Sequence, residues 1–229
     1  MRRDSEFQSY RVVLIATDIH KTFDSGNSGK EVLDGVSLAV SPGDFVMITG
    51  TSGAGKSTLL HILCGLDQPT SGEVFFDGNP YSTLSAGESS RLRGECFGFV
   101  FQTPHLLMDR TVFENVTLPF CYGPKITKSE IGRRCMDILE YVGLGKDGGR
   151  YPATLSGGEL QRVVFARALV REPRVIFADE PTGSLDRKNS LNMLDLLKKK
   201  SEQGCAVVMV THDHSLKSYG TRFLSLDKR

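Results

Sequence analysis

The stretch Gly50-Thr51-Ser52-Gly53-Ala54-Gly55-Lys56-Ser57 constrains this chain more than any other. It matches the pattern G-x-x-x-x-G-K-[ST]. The short apolar run Phe45 to Thr49 precedes it, and an apolar helical segment from Lys56 to about Leu66 follows. Strand, glycine-rich loop and helix in that order form the context the pattern requires. Glycines let successive N–H groups curl around phosphate oxygens. The helix start adds unpaired donors and a partial positive charge. Lys56 is expected to reach the β- and γ-phosphates of a nucleoside triphosphate, and Ser57 to offer its hydroxyl to Mg²⁺.

A second run, Val175-Ile176-Phe177-Ala178-Asp179-Glu180, supplies the complement. Four apolar residues read as a buried strand that ends in two acids. Asp179 at the strand's end is expected to hold Mg²⁺, directly or through water. Glu180 points differently and is expected to polarise an attacking water as general base.

The rest of the chain alternates strands and helices. Residues 11–23 read as a strand, Asp24 to Lys30 as a hairpin loop, and Val36 to Val40 as a second strand. Glu73 to Phe76, Phe97 to Phe101 and Cys205 to Val210 read as further strands, the last being the final one in the chain. Helical spacing appears over Ser129–Val142, Gly158–Arg171 and Lys188–Glu202, where Leu191, Leu194 and Leu197 share a face. Residues 103–157 look like a mostly helical insertion. The pattern predicts one α/β domain over 1–229 with a largely parallel sheet.

Composition excludes several classes. The 229 residues carry a formal net charge of +1, so a clustered basic surface for nucleic acid is not expected. Lys198-Lys199-Lys200 reads as the solvated end of a helix. The cysteines, Cys64, Cys96, Cys121, Cys135 and Cys205, are widely spaced without C-x-x-C, which fits reduced thiols packed in a cytosolic protein. No stretch approaches the roughly 20 apolar residues of a membrane span. Met1 to Glu6 is charged with no apolar signal core behind it. The expectation is a cytosolic protein that reaches a membrane only through a partner.

The string Leu155-Ser156-Gly157-Gly158-Glu159-Leu160-Gln161-Arg162, lying before the acidic strand, resembles the signature motif of the ATP-binding cassette family. Ser156 is a good N-cap, and the two glycines leave a helix end open to an anion. The other family elements follow in order. Gln102 resembles the Q-loop glutamine, a Mg²⁺ and water contact. Ser184-Leu185-Asp186 resembles the D-loop. His212 resembles the switch histidine on the γ-phosphate. Phe23 sits where the family has an aromatic, more often Tyr, stacked on adenine. Glu159 stands where many members have Gln, with little expected consequence for ATP chemistry.

The resemblance covers nearly the whole chain. It implies a P-loop NTPase fold of ABC type: a RecA-like mixed sheet core, an N-terminal antiparallel β subdomain and an inserted helical subdomain. It implies ATP and Mg²⁺ as ligands. ATP would lie between residues 50–58, ending in Thr58, of one chain and Ser156 to Glu159, with Asp186, of a second copy. It also implies transmembrane permease subunits as partners, no nucleic acid, and a seat on the cytoplasmic side of the inner membrane. Pro104-His105-Leu106-Leu107 and Ala178 to Asp186 resemble the lipoprotein-releasing, macrolide-exporting and cell-division group, and an importer subunit is the alternative. A small-molecule kinase would lack the LSGG string and His212. A soluble cassette protein of DNA repair or translation would carry coiled coils or zinc cysteines. The apolar surplus after Gln102, including Leu106, Leu107 and Phe113, reads either as the insertion's own core or as part of a permease-docking groove.

Overall fold

The computed structural model describes residues 12–25, 28–122, 126–183 and 185–227. The N-terminal segment Met1 to Glu6, the loop residues Gly26 and Asn27, and Ser184 lie outside the described residues. The chain runs β1 (Leu14–Ser25), β2 (Ser28–Val40), β3 (Phe45–Thr49), α1 (Lys56–Leu63), β4 (Ser71–Phe76), β5 (Asn79–Pro80), α2 (Ala86–Cys96) and β6 (Phe97–Phe101). It continues through α3 (Val112–Thr117), α4 (Lys128–Tyr141), α5 (Gly157–Leu169), β7 (Val175–Asp179), α6 (Arg187–Glu202), β8 (Ala206–Val210) and β9 (Arg222–Ser225).

Parallel and antiparallel pairing fall in separate sheets. One sheet is antiparallel with order β2-β1-β4-β5; the other is parallel with order β6-β7-β8-β3-β9. Side chains alternate across a strand, so the buried parallel strands β3, β7 and β8 each feed two cores. Phe45, Met47, Ile176, Ala178, Val207 and Met209 face α5 and α6. Val46, Ile48, Phe177 and Val208 face Leu59 and Leu63 of α1, with Leu14 and Ile19 of the antiparallel sheet beyond. Truncating a fully buried leucine such as Leu59 to Ala costs about 2–5 kcal/mol in such a setting.

Four elements differ from the sequence reading. The β1–β2 hairpin is tighter: Ser25 already pairs with Ser28, and β2 starts eight residues before Val36 in register with polar partners such as Thr22↔Glu31. α2 appears where no helix was expected; none of its residues is buried, and its start is fixed by a Ser85/Glu88 capping box. β9 follows β8 and pairs with β3, so Cys205 to Val210 is not the final strand. Leu191 is exposed, and Met193, Leu194 and Leu197 carry the buried face of α6. Lys199 and Lys200 do lie in the last turn of α6, where cations suit the carbonyl end.

Candidate active site

Strand register builds the site. Phe101 pairs with Asp179, Asp179 with Val210, and Val210 with Ile48. The C-terminal ends of β6, β7, β8 and β3 therefore line up, and the segments leaving them converge. Those segments carry Gln102, Asp179 with Glu180, Thr211 with His212, and the Gly50 loop. Open parallel sheets bind ligands outside this edge.

The loop from Gly50 to Gly55 is set by backbone that only glycine tolerates. Gly55 has φ 92 and caps α1 without any side-chain hydrogen bond. A Cβ there would come 2.8 Å from Val32 Cγ1 and Leu33 Cδ2 and 2.9 Å from the Val32 carbonyl. Lys56 is buried, and its ammonium donates to the carbonyls of Gly50 at 2.8 Å and Thr51 at 2.9 Å. Thr51, Ser52 and Gly53 are exposed.

Ser57 Oγ donates to Asp179 Oδ1 at 3.1 Å. Burial pushes the Asp179 carboxyl up from its ordinary value, the Ser57 bond pulls it back, and neighbouring Glu180 adds a further upward push. A half-buried carboxylate beside a hydroxyl at a helix start is a pair of hard oxygen donors suited to a hard cation, which fits Mg²⁺. Ser57, Gln102, Thr103, Asp179 and Glu180 line one cavity of about 460 Å³ together with His61 and His105. Glu180 adopts a left-handed backbone, φ 46, and its N–H donates to the Val210 carbonyl at 3.0 Å. His212 Nδ1 stands 2.8 Å from Glu180 Oε1, so an Nδ1–H orients the carboxylate.

The signature segment forms a second helix end. Ser156 is the N-cap of α5: its N–H and its hydroxyl both donate to Glu159 Oε2, each at 2.7 Å, and Glu159 N–H returns to Ser156 Oγ at 3.4 Å. Arg150 Nη1 lies 3.4 Å from the other Glu159 oxygen. The Ser156 bonds, helped by Arg150, hold the Glu159 carboxyl below its usual value. Gly158 packs so closely on α6 that a Cβ would meet Asn189 Oδ1 at 2.7 Å. Asn189 in turn is fixed by Asp186, the N-cap of α6, at 2.8 Å.

Ser156, Gly157 and Gly158 do not line the cavity that holds Ser57 and Glu180. Nor does Phe23, which is exposed on β1 with the Lys21 ammonium 5.0 Å from its ring centroid. One residue the sequence reading passed over ties the start of α5 to the end of β6. Gln161 is buried, and its amide donates to the carbonyls of Gln102 at 2.8 Å and Phe101 at 3.3 Å. A polar residue four positions into an otherwise apolar helix face is the signal that could have found it.

Fold and site together define a P-loop nucleoside-triphosphatase. Residues 33–183 match the family model described as ABC transporter. The chain is 44% identical over 93% of its length to the lipoprotein-releasing system ATP-binding protein LolD of Psychrobacter arcticus, covering 95% of that protein. It is 43% identical over 92% of its length to an uncharacterised ABC transporter ATP-binding protein of Methanocaldococcus jannaschii, covering 94% of it. Among solved structures it is similar to the dimeric ATP-binding cassette MJ0796 in a post-hydrolysis state bound to ADP and Pi, with TM-score 0.84, 38% identity and 93% of each chain covered. The chain belongs to the ABC transporter family and is an ATPase cassette of it. No helix among the described residues is long and apolar enough to cross a membrane.

Proposed function

We propose that this chain is the ATP-hydrolysing motor subunit of a membrane transporter of the lipoprotein-releasing kind. The convergence of Lys56, Ser57, Asp179, Glu180 and His212 on one strand edge carries this reading. Lys56 exchanges its two loop carbonyls for β- and γ-phosphate oxygens. The N–H groups from Ser52 to Thr58 receive the remaining charge, and Phe23 offers its free ring face to the adenine. Ser57, Asp179 and Gln102 would hold Mg²⁺, which would supply positive charge to offset that of the triphosphate. Glu180, aimed by His212, takes a proton from the attacking water, and His212 contacts the γ-phosphate.

The exposed face of each bound ATP meets Ser156, Gly157, Gly158 and Glu159 of a second copy, with Asp186 alongside. Dimeric relatives such as MJ0796 support that pairing. The LolD names of relatives support a permease partner and a seat at the cytoplasmic face of the inner membrane. On this reading residues 1–229 form one cassette, with 103–157 as its helical subdomain.

A groove of about 490 Å³ suits the permease. Phe99, Phe101, Leu118, Pro119 and Tyr122 line it, and so do Arg93, Arg167 and Arg171. It does not contain the residues expected from sequence: Leu106 and Phe113 pack against the core, and Leu107 is exposed but does not line the groove. Tyr122→Glu should leave ATPase activity of the free subunit intact and abolish copurification with the permease. Intact assembly would count against the groove.

Glu180→Gln tests the chemistry. Turnover should fall about 10²- to 10⁴-fold while ATP binding persists and a dimer accumulates, read by phosphate release and light scattering. Unchanged turnover would remove Glu180 from the role of base.

A further inference from the structure

The segment after β9 crosses the start of the phosphate loop. β9 runs parallel to β3 with Ser225 opposite Thr49, and Leu226 N–H donates to the Thr49 carbonyl at 2.9 Å. That pairing delivers Asp227 to the loop. Its Oδ1 accepts the Thr51 N–H at 2.7 Å, and its Oδ2 accepts the Ser225 hydroxyl at 3.1 Å. The approach is close: a Cβ on Gly50 would stand 3.5 Å from both Asp227 N and Oδ1. Residues 225–227 and residues 51–54 both line one cavity of about 820 Å³.

Thr51 is gripped from two sides. Asp227 takes its N–H, and Lys56 takes its carbonyl. The two grips differ in what a nucleotide does to them. Lys56 must leave Thr51 and Gly50 to reach phosphate, whereas the Asp227 bond lies on an amide with no part in the anion cradle. We infer that Asp227 is a positioning residue for nucleotide binding: it anchors the first peptide of the loop, so the loop keeps its curl when Lys56 lets go. The gain is preorganisation, since a loop held in its bound form has less to order on binding. A carboxylate–amide bond is among the stronger ones available for the task.

This inference rests on the proposed phosphate site, and the test separates the two. Full-length protein is titrated with a fluorescent ATP analogue and Mg²⁺, and steady-state ATPase is measured in parallel. Asp227→Ala should raise Kd and KM together by about 3- to 10-fold while kcat at saturation stays within about twofold. Asp227→Asn retains an oxygen acceptor for Thr51 N–H and should remain within about twofold of the wild-type Kd. Ser225→Ala removes the hydroxyl that steers Asp227 and gives a milder rise in the same direction, which keeps the test open if Asp227→Ala folds poorly. Wild-type Kd in the Ala variant, equal loss in Ala and Asn, or a loss confined to kcat would each overturn the inference. Failure of the wild-type chain to bind the analogue would instead strike the phosphate site itself.

Discussion

The starts of α1 and α5 are the two helix ends proposed above to receive phosphate, yet they are built in opposite ways. α1 opens on Gly55 with no side-chain cap and no acid in its first turn. No side chain caps its first N–H groups, and Asp179, bonded to Ser57, is pushed towards protonation by burial. α5 opens on a complete capping box, with Glu159 held in its anionic form by Ser156. A hydroxyl has one proton, and Ser156 already spends it on Glu159. On the proposed reading, the first end stands open to an anion, and the second would receive one only by giving up a bond it already has.

The largest break in this contrast comes from closing the bare end. Gly55→Ala forces an alanine into left-handed backbone and against the Val32 carbonyl, so ATP affinity should fall at least about tenfold, read by nucleotide titration. Next, Glu159→Gln keeps a side chain able to cap Ser156 N–H but removes the charge facing the incoming phosphate. In a Glu180→Gln background the ATP-dependent dimer should tighten by about 2- to 5-fold, read by sedimentation; weaker dimers would show that the carboxylate assists closure. The smallest effect is on pH. The folded pKa of Glu159 is lowered, so its contribution to stability is present above the usual carboxylate value and is lost as pH falls through the lowered one. The melting-temperature advantage of wild type over Glu159→Gln should therefore shrink on acidification below about pH 4.5. Asp179 has the reverse sign: its raised pKa makes the anion a cost at neutral pH that acid relieves.

What could be read from sequence followed the strength of local signals. β3, β7 and β8 are continuous apolar runs, buried on both faces, and each ends in the residues that carry chemistry. The loop at 50–57 and the signature string were legible because glycine and N-cap chemistry is local. The elements that escaped have no apolar run. α2 buries nothing, and only its Ser85-x-x-Glu88 box announces it. β9 is an exposed edge strand, and with it went Asp227, whose partner lies 176 residues away. Gln161 escaped because its role exists only once α5 packs beside the end of β6. The arrangement of Ser156 with Glu159 was visible as a cap, but not its competition with a phosphate. For that reason the sequence reading gave Glu159 little weight.

The occupied cap on α5 has a consequence for a molecule bathed in free anions. An anion arriving at this end must compete with Glu159, which is tethered to its own chain and backed by Arg150. In the proposed dimer a free phosphate would meet that competition alone, whereas the γ-phosphate of an ATP held by a second copy would meet it with an opposing surface behind it.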